Sequence, residues 1–346
     1  MTLSQTAIFV QRSIIISAVA LFLSIASFTG YKIWYAYYLA SLPPVEEKPD
    51  TKFGQLPQPD FPKSSVSSSN FSYSLDTTTG GLPKAGKDPG FDKILKVYFV
   101  PQSFATFLSP ERSQKLAEKF KLIFPPDILS ETKYSFKDNG KSLLVDLDNG
   151  NFSYTNESVS ANAALEDETK LVSGFKRTLT DLGILNDDLS NGKAEVNFLK
   201  TSGTKFSITK QKSEAQAAQI SIWPSAIDKK LIYTAAFTNS LVNAIVFGSA
   251  DKLENYASLD FIYYPPDTTT YATYPIKTAD IAFEDLRSGK GVVIIESDKP
   301  QVSISSVSLG YYVPENYSPY LTPIYVFEGP NFVAYVPAIS SEFLNN

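Results

Sequence analysis

The longest apolar run lies near the start of the chain. Residues 13–31 contain no charge, and Arg12 and Lys32 bound the run. As a helix these residues extend about 28 Å, close to the hydrocarbon thickness of a bilayer. Tyrosine and tryptophan then cluster between Tyr31 and Tyr38, as expected at lipid headgroups. The pattern predicts a transmembrane helix with an aromatic belt over 13–39, after a short segment over 1–12.

A cleaved signal peptide is the alternative to an anchor, because Ser24-Ile25-Ala26 has the small residues of a cleavage site. Against it, the apolar run continues past that point into the interfacial aromatics. Charge does not decide the orientation, since Arg12 alone precedes the helix, whereas Lys32 and Lys48 follow it.

Prolines and serines are concentrated over residues 40–69. Six prolines lie between positions 43 and 62, and the run SSVSSS follows. Proline favours extended backbone and serine loosens it, so the composition predicts a linker that holds a domain away from the membrane. Deletion of this linker is expected to leave folding intact. A proline-rich ligand for a groove-type reader is the alternative.

A first α+β unit is predicted over 70–158. Branched and aromatic residues predict strands over 71–77 and 94–100. Asn139-Gly140 and Asn149-Gly150 predict the type I′ turns of a three-stranded antiparallel meander.

A helix is predicted over 110–124, between those strands and the meander. Ser109 can cap it, with Pro110 at its first position. Its apolar stripe includes Ile123 and Phe124, and Pro125-Pro126 ends it.

Residues 159–340 are predicted to form a tandem α+β domain. Apolar residues recur on one helical face from Leu171 to Leu182, which predicts a helix over 162–182. Thr278 can cap a short helix over 279–287. Strands are predicted over 194–199, 218–223, 231–237, 243–248, 259–264, 291–296, 302–312, 323–327 and 332–336. A helix followed by antiparallel strands occurs three times, which predicts an α+β fold of tandem helix-plus-antiparallel-meander units.

The chain closes on a hairpin, YLTPIYVFEGPNFVAYVPAI, over residues 320–339. Both strands are apolar on both faces, so they are predicted to lie inside a sheet that is covered on both sides. The turn is predicted to use Gly329 for a positive φ. Truncation after Tyr320 is therefore expected to abolish folding.

Three features of residues 278–340 point to a known family: the short helix ending at Gly289–Gly291, a long strand ending in LGYY, and the hairpin with Pro323 at its start. Together they resemble the closing repeat of the YycI/YycH-type extracytoplasmic regulators, whose lobes are built from PepSY-like units. The resemblance implies a single-pass protein of the bacterial cell membrane, with 1–12 in the cytoplasm and the folded part outside. It also implies regulation of a sensor kinase or another envelope protein by contact.

Composition excludes several classes of function. The formal net charge is −5 and no basic stripe is present, so nucleic acid is not an expected partner. Cysteine and histidine are absent, which removes thiolate chemistry, disulfides and zinc or haem ligation of the usual kinds. No cofactor is expected.

Candidate catalytic and metal sites are sparse. Asp146 and Asp148 in the run DLDNGN approach a calcium-loop pattern, but Gly150 falls at its fifth position instead of the sixth. A hairpin turn is the alternative interpretation. No acid and base pair can be assigned, so no catalytic or metal residue is proposed and no enzyme is expected.

The best surface candidate is YYPPDTTTYATYP over 263–275. Tyrosine offers a large contact area at a small entropic cost, so this segment is a candidate recognition loop. Strand ends with aromatic residues covering the core are the alternative. The candidate partner-binding residues are Tyr263, Tyr264, Tyr271 and Tyr274.

The leading hypothesis is a membrane-anchored binding or regulatory protein, held in the bilayer through 13–39, that contacts another membrane or envelope protein. An envelope glycan hydrolase is the enzymatic alternative, and it would need two carboxylates across a cleft, roughly 5 to 10 Å apart. A structural cell-surface protein is the third.

Overall fold

The computed structural model describes residues 3–41, 48–78, 80–85, 90–159, 164–203 and 205–345. The chain divides into two compact units, Met1–Lys48 and Pro49–Asn346. We call the second unit the body.

The N-terminal unit is one long helix, α1, over Leu3–Ser41. Its window Ile15–Tyr38 has a mean hydropathy of 1.5 and, within the described residues, is the only helix long and apolar enough to cross a membrane. Ring pairs one helical turn apart line the predicted aromatic belt, with centroids 5.6 Å apart for Trp34 and Tyr38. A signal sequence meets the same criteria of length and composition.

The body combines short helices with many strands. The helices are α2 Ser109–Lys119, α3 Glu168–Leu182, α4 Asp187–Ser190 and α5 Ala279–Arg287. The first strands are β1 Ser72–Leu75, β2 Lys84–Ala85, β3 Gly90–Phe91, β4 Ile94–Phe99, β5 Asp127–Ser130, β6 Lys133–Asp138, β7 Lys141–Asp146, β8 Phe152–Asn156, β9 Ala194–Ser202 and β10 Lys205–Ile208. The later strands are β11 Ala217–Ile222, β12 Ile232–Tyr233, β13 Val242–Val246, β14 Tyr256–Phe261, β15 Asp267–Pro275, β16 Val292–Ile295, β17 Gln301–Ile304, β18 Ser306–Tyr312, β19 Tyr320–Gly329 and β20 Phe332–Pro337. The mixed α+β class is as predicted.

Nine strands form one antiparallel sheet in the order β10-β9-β11-β13-β14-β8-β7-β6-β5. Strand β8 of the predicted first unit pairs directly with β14 of the predicted second, with Phe152 opposite Phe261. The predicted boundary between 70–158 and 159–340 therefore does not divide the body. Strand pairing across that boundary buries a common set of side chains, which the local pattern of neither segment could indicate.

One hydrophobic core lies between this sheet and two helices. Phe175 and Leu179 of α3 are fully buried there, together with Ala117 of α2. Alternate residues of the strands face the same core, as Ile220 and Ile222 of β11 do. The helices cover one face of the antiparallel sheet, which is the α+β arrangement that the sequence predicts.

The second sheet is built from both ends of the body. Its order is β12-β18-β19-β20-β16, and β4 joins it by pairing with both β19 and β15. Most of the pairs are antiparallel, but β12 pairs with β18 in parallel. Helix α5 packs against β20. The body thus does not separate into the three predicted helix-plus-meander units.

The closing hairpin lies inside this sheet, as predicted. Tyr325 and Phe327 point into one core, whereas Ile324 and Val326 point into another, and all four are fully buried or nearly so. The turn differs from the prediction, because Asn331 has the positive φ of 54°. Gly329 is required for a different reason, since a Cβ there would lie 2.3 Å from the carbonyl oxygen of Ser303.

The predicted linker over 40–69 is wrong in its second half. Residues 42–47 lie outside the described residues, but residues from Pro49 onward belong to the body. Leu56 is fully buried, and the ring of Phe61 packs against Tyr312 at 4.9 Å. The apolar side chains between the prolines provide buried surface, and proline holds the segment in the extended form that lies along a sheet.

All three predicted helices of the body are present, and two of them have shifted ends. Helix α5 has the predicted bounds, with the hydroxyl of Thr278 accepting a hydrogen bond from the Ile281 N–H at 3.3 Å. Helix α3 begins later than predicted, at Glu168, and residues 160–163 lie outside the described residues. Helix α2 ends at Lys119, before the predicted end, because Lys121 adopts a left-handed φ of 61°.

Candidate functional site

The four candidate tyrosines do not form one surface loop. Residues 267–275 form strand β15, which pairs with β4. Tyr274 is fully buried, and its hydroxyl donates to the carbonyl oxygen of Gly54 at 2.9 Å. Tyr274 is therefore a core residue, and its assignment to a partner-binding surface is wrong. Tyr274 fits the alternative interpretation, in which aromatic residues at strand ends cover the core.

Tyr271 is partly exposed, with 36% of its surface accessible. The ammonium of Lys96 lies 4.6 Å from its ring centroid, within the range of a cation–π interaction. Tyr271 also packs edge-on against Tyr98 of β4. Tyr271 therefore packs against two side chains of β4, Lys96 and Tyr98.

Tyr263 and Tyr264 both line a cavity of about 330 Å³. This volume lies at the lower end of the range for small-molecule sites. The cavity lies where the nine-stranded sheet meets the second sheet, between the β11–β12 connection, the β14–β15 connection and the ends of β4 and β19. Its apolar lining residues are Tyr98, Pro224, Ala226, Ile227, Ile232, Leu241, Val242, Ile262, Tyr263, Tyr264, Pro266, Val313 and Leu321, and its polar ones are Lys96, Asp188, Ser225, Asp228, Thr234, Ser240 and Thr268.

An ion pair and a tyrosine meet on one side of this cavity. Asp228 lies 3.1 Å from the ammonium of Lys96 and accepts a hydrogen bond of 2.6 Å from the hydroxyl of Tyr98. The hydrogen bond from Tyr98, followed by the interactions with Lys96, lowers the pKa of Asp228 against the opposing effect of burial. Burial, followed by the interactions with Asp228, raises the pKa of Tyr98. The aspartate is thus held ionised and the phenol neutral.

The turn that presents Asp228 has an unusual backbone. Asp228 and Lys229 have positive φ angles of 49° and 62°, and Ile227 and Lys230 flank them as a β-bridge. These are the dihedral signs of a type I′ turn. The turn places the carboxylate against β4, which is more than 100 residues away in the chain.

Tyr263 and Asp188 form another part of the lining. The hydroxyl of Tyr263 donates to Asp188 at 2.9 Å, and the backbone N–H of Tyr263 donates to the side-chain oxygen of Asn151 at 3.0 Å. Burial, followed by the hydrogen bond to Asp188, raises the pKa of Tyr263. Tyr264 also lines the cavity, and its hydroxyl donates to the carbonyl oxygen of Glu315 at 3.4 Å.

The calcium-like run is a hairpin turn. Asp146 accepts from the backbone N–H of Asp148 at 2.9 Å, and Asp148 accepts from that of Ala105 at 2.8 Å. Asn149 accepts from the N–H of Asn151 at 2.8 Å. These oxygens thus hold the local backbone, and across the described ranges no group of three or more acidic side chains is placed to hold a metal ion. Gly150 alone of the predicted Asn149-Gly150 pair has a positive φ.

A second candidate surface lies at the edge of the nine-stranded sheet. Strand β5 is the last strand of the sheet order, and all four of its residues are exposed. Ile128 and Leu129 are 67% and 60% exposed, and Ile123 and Phe124 just before them are 71% and 55% exposed. We call these four residues the apolar edge.

Sequence reasoning missed the apolar edge by placing Ile123 and Phe124 on the buried stripe of a helix. The signal that could have shown it is Pro125-Pro126, because a residue before proline is driven out of helical backbone. The preceding connection is also apolar and exposed, with Phe104 and Phe107 68% and 105% exposed.

Comparison with known proteins finds no family model that matches the chain, and no curated protein matches it. Two solved structures are similar. One is the crystal structure at 1.45 Å of an uncharacterized protein from Eubacterium rectale ATCC 33656, with 12% identity and a TM-score of 0.32, covering 71% of this chain and 84% of that one. The other is the Bacillus megaterium YpeB C-terminal domain, with 7% identity and a TM-score of 0.30, covering 69% of this chain and 95% of that one. Both TM-scores are below 0.5, so neither similarity decides fold or function.

Proposed function

We propose that the chain is a single-pass membrane protein whose body lies outside the cytoplasm and regulates another membrane or envelope protein by binding it. The observation that supports a binding function is the apolar edge. Its four large side chains are each more than half exposed within seven consecutive residues. Soluble surfaces seldom keep such a concentration of apolar side chains unless a partner covers it.

The backbone of β5 favours the same function. It pairs with β6 on one side, and it ends the strand order of its sheet. A terminal strand presents N–H and C=O groups on its outer side, to which a partner can add a strand. Burial of one large apolar side chain stabilises a complex by roughly 1.5–3 kcal/mol before the cost of association. Strand addition and apolar contact would therefore act together here.

The chemistry of the cavity does not favour the glycan hydrolase. A general acid of that class needs a carboxylic acid with a raised pKa. The pKa of Asp228 is lowered instead, and both Asp228 and Asp188 accept a hydrogen bond from a tyrosine. This arrangement supports binding in preference to acid catalysis.

The placement of the body outside the cytoplasm rests on the resemblance of residues 278–340 to the YycI/YycH-type regulators. The apolar helix α1 supports the single anchor. Contact with a sensor kinase follows from the same resemblance and belongs to the proposal.

The binding function is tested by photo-crosslinking in native membranes. A photoreactive phenylalanine analogue replaces Phe124, and the same cells are illuminated with either Ile128→Lys or Ile208→Lys as a second change. Ile208 is a matched control, because it lies on the opposite edge strand β10 and is 62% exposed. We expect a discrete adduct that Ile128→Lys removes and Ile208→Lys retains. The absence of an adduct, or its equal loss with both changes, would contradict the proposal.

A further inference from the structure

The cavity between the two sheets combines an apolar floor with charged groups at its rim. Ile232, Val242 and Leu321 are 6%, 1% and 3% exposed and come from three different strands. Asp188 and Asp228 lie at the rim and are exposed to solvent. We infer that the cavity binds an amphipathic organic cation, namely an apolar body that ends in a primary amine or guanidinium group.

The floor selects for an apolar body. Contact with Ile232, Val242 and Leu321 would remove the apolar surface of the ligand itself from water. The volume of about 330 Å³ accommodates one ring or one long side chain with its head group at the rim.

The charges of the lining select for a cation. One lysine and two aspartates line the cavity, which leaves a formal charge of −1. Lys96 is matched by Asp228 at 3.1 Å. Within the described residues Asp188 forms no ion pair, and its carboxylate accepts a hydrogen bond from the neutral hydroxyl of Tyr263. An ammonium or guanidinium group would supply the missing positive charge, whereas an anion would be repelled.

The tyrosines at the rim offer a second attraction to a cation. Aromatic faces attract ammonium and guanidinium groups. The protein already uses this interaction next to the cavity, where the ammonium of Lys96 lies 4.6 Å from the ring of Tyr271 and 5.8 Å from that of Tyr98. Tyr263, whose hydroxyl donates to Asp188, and Tyr264 contribute further rings to the lining. The same chemistry can therefore hold a second cation at this rim.

The head group can come from a free small amine or from a lysine or arginine side chain of a peptide. Both present the same cation on an apolar stem. The site is independent of the apolar edge, so its test does not depend on the outcome of the crosslinking experiment.

The test uses the full chain in lipid nanodiscs and isothermal titration calorimetry, with empty nanodiscs to measure uptake by lipid. The probes are phenethylamine, 2-phenylethanol and 3-phenylpropanoate, which share a ring and differ in charge. A second arm uses the peptide acetyl-Leu-Lys-Leu-amide and its analogue with norleucine in place of lysine. We expect saturable binding of at least one amine probe and weaker binding of its neutral or anionic counterpart.

The variant Asp188→Asn keeps the shape of the side chain and removes its charge. We expect it to weaken amine binding about tenfold and to leave 2-phenylethanol unchanged. The control is Asp187→Asn, which makes the same charge change one residue earlier in α4, outside the cavity lining. Binding of the peptide alone assigns the site to a peptide side chain, and binding of phenethylamine alone assigns it to a free amine. The inference is overturned if no amine binds above the level of empty nanodiscs, if the neutral probes bind equally well, or if Asp187→Asn causes the same loss as Asp188→Asn.

Discussion

Leu56 and Leu344 form a β-bridge at opposite ends of the body, although 288 positions separate them in the chain. The N–H of Leu56 donates to the carbonyl oxygen of Phe343 at 2.8 Å, and the N–H of Asn345 donates to the carbonyl oxygen of Leu56 at 2.8 Å. Both leucines are buried in the core that contains the closing hairpin. The two ends of the body therefore close one core, and the segment after Lys48 is part of the fold.

We expect Leu56→Ala to lower the free energy of unfolding by about 2–5 kcal/mol, because a fully buried leucine leaves a cavity when it is truncated. Leu75→Ala on β1 is the control, since Leu75 is 38% exposed and should cost much less. Urea unfolding measures the free energy of unfolding of both variants. Equal stabilities would show that residues 49–69 are the linker that their composition predicts.

Truncation after Tyr320 is expected to leave the body unfolded. It removes most of β19 and all of β20, and these strands pair with β18, β16 and each other. Each lost buried side chain is worth roughly 1.5–3 kcal/mol, and together they rival the stability of an ordinary domain, about 5–15 kcal/mol. Asn331→Gly is the control within the hairpin, because glycine also adopts the φ of 54° found there. Circular dichroism melting should show a cooperative transition for the control only, and an unchanged transition in the truncated chain would make the hairpin an appendage.

The ion pairs of the buried Asp285 should make stability depend on pH in the acid range. Asp285 lies 2.9 Å from the ammonium of Lys277 and 3.0 Å from that of Lys290. Burial acts to raise the pKa of Asp285, but the two lysines outweigh it and hold the pKa below the ordinary value of 3.8. A depressed folded-state pKa stabilises the protein above the unfolded-state value, and this contribution is lost as the pH falls through the folded-state value.

We therefore expect Asp285→Asn to destabilise the protein at pH 7 by about 1–3 kcal/mol and to reduce the loss of stability between pH 5 and pH 2. The control is Glu111→Gln, which removes an exposed carboxylate paired with Lys115 on α2. Chemical denaturation at several pH values in this range measures the free energy of unfolding of both variants. If the free energy of unfolding falls equally steeply between pH 5 and pH 2 in Asp285→Asn and in the unchanged protein, Asp285 is not the source of the pH dependence.

The chain is expected to stay in the membrane through residues 13–39. Helix α1 covers that range and contains the apolar window Ile15–Tyr38. Cell fractionation shows which fraction contains the protein, and N-terminal sequencing shows whether the helix has been removed. We expect the full chain in the membrane fraction. A soluble species beginning near Ser27 would identify a cleaved signal peptide instead.

The side of the membrane can be tested with engineered cysteines, because the natural chain has none. Ser130→Cys places a thiol on the exposed strand β5, and Thr2→Cys places one before α1. A membrane-impermeant maleimide added to intact cells is expected to label only Ser130→Cys. Labelling of Thr2→Cys alone would place the body in the cytoplasm.

Local patterns were sufficient for several elements. Helix α5 has its predicted bounds because capping by Thr278 and the apolar spacing both act within one or two helical turns. Asn139-Gly140 forms the predicted turn, with positive φ angles of 47° and 77°. The two strands of the closing hairpin were predictable because each is apolar on both faces.

Strand β15 shows why the candidate site was only partly predictable. Its threonines, and the two prolines just before it, resemble a loop, but pairing with β4 about 170 residues away makes it a strand. That pairing buries Tyr274 and leaves Tyr263 and Tyr264 at the cavity. Which face of such a segment is covered depends on the distant strand, and no pattern within the segment contains that information.

The sequence by itself determined the apolar N-terminal helix, the α+β class, the existence of helices α2, α3 and α5, and the closing hairpin, because charge absence, capping and residue periodicity act between near neighbours. Only the tertiary structure decided that residues from Pro49 onward belong to the body, that β8 joins β14 in one sheet, and that Lys96, Asp188 and Asp228 share a cavity. These features depend on which distant strands pair and which faces they bury. Pairing of that kind is a property of the whole chain, since each contact gains free energy only when the others have closed the intervening loops.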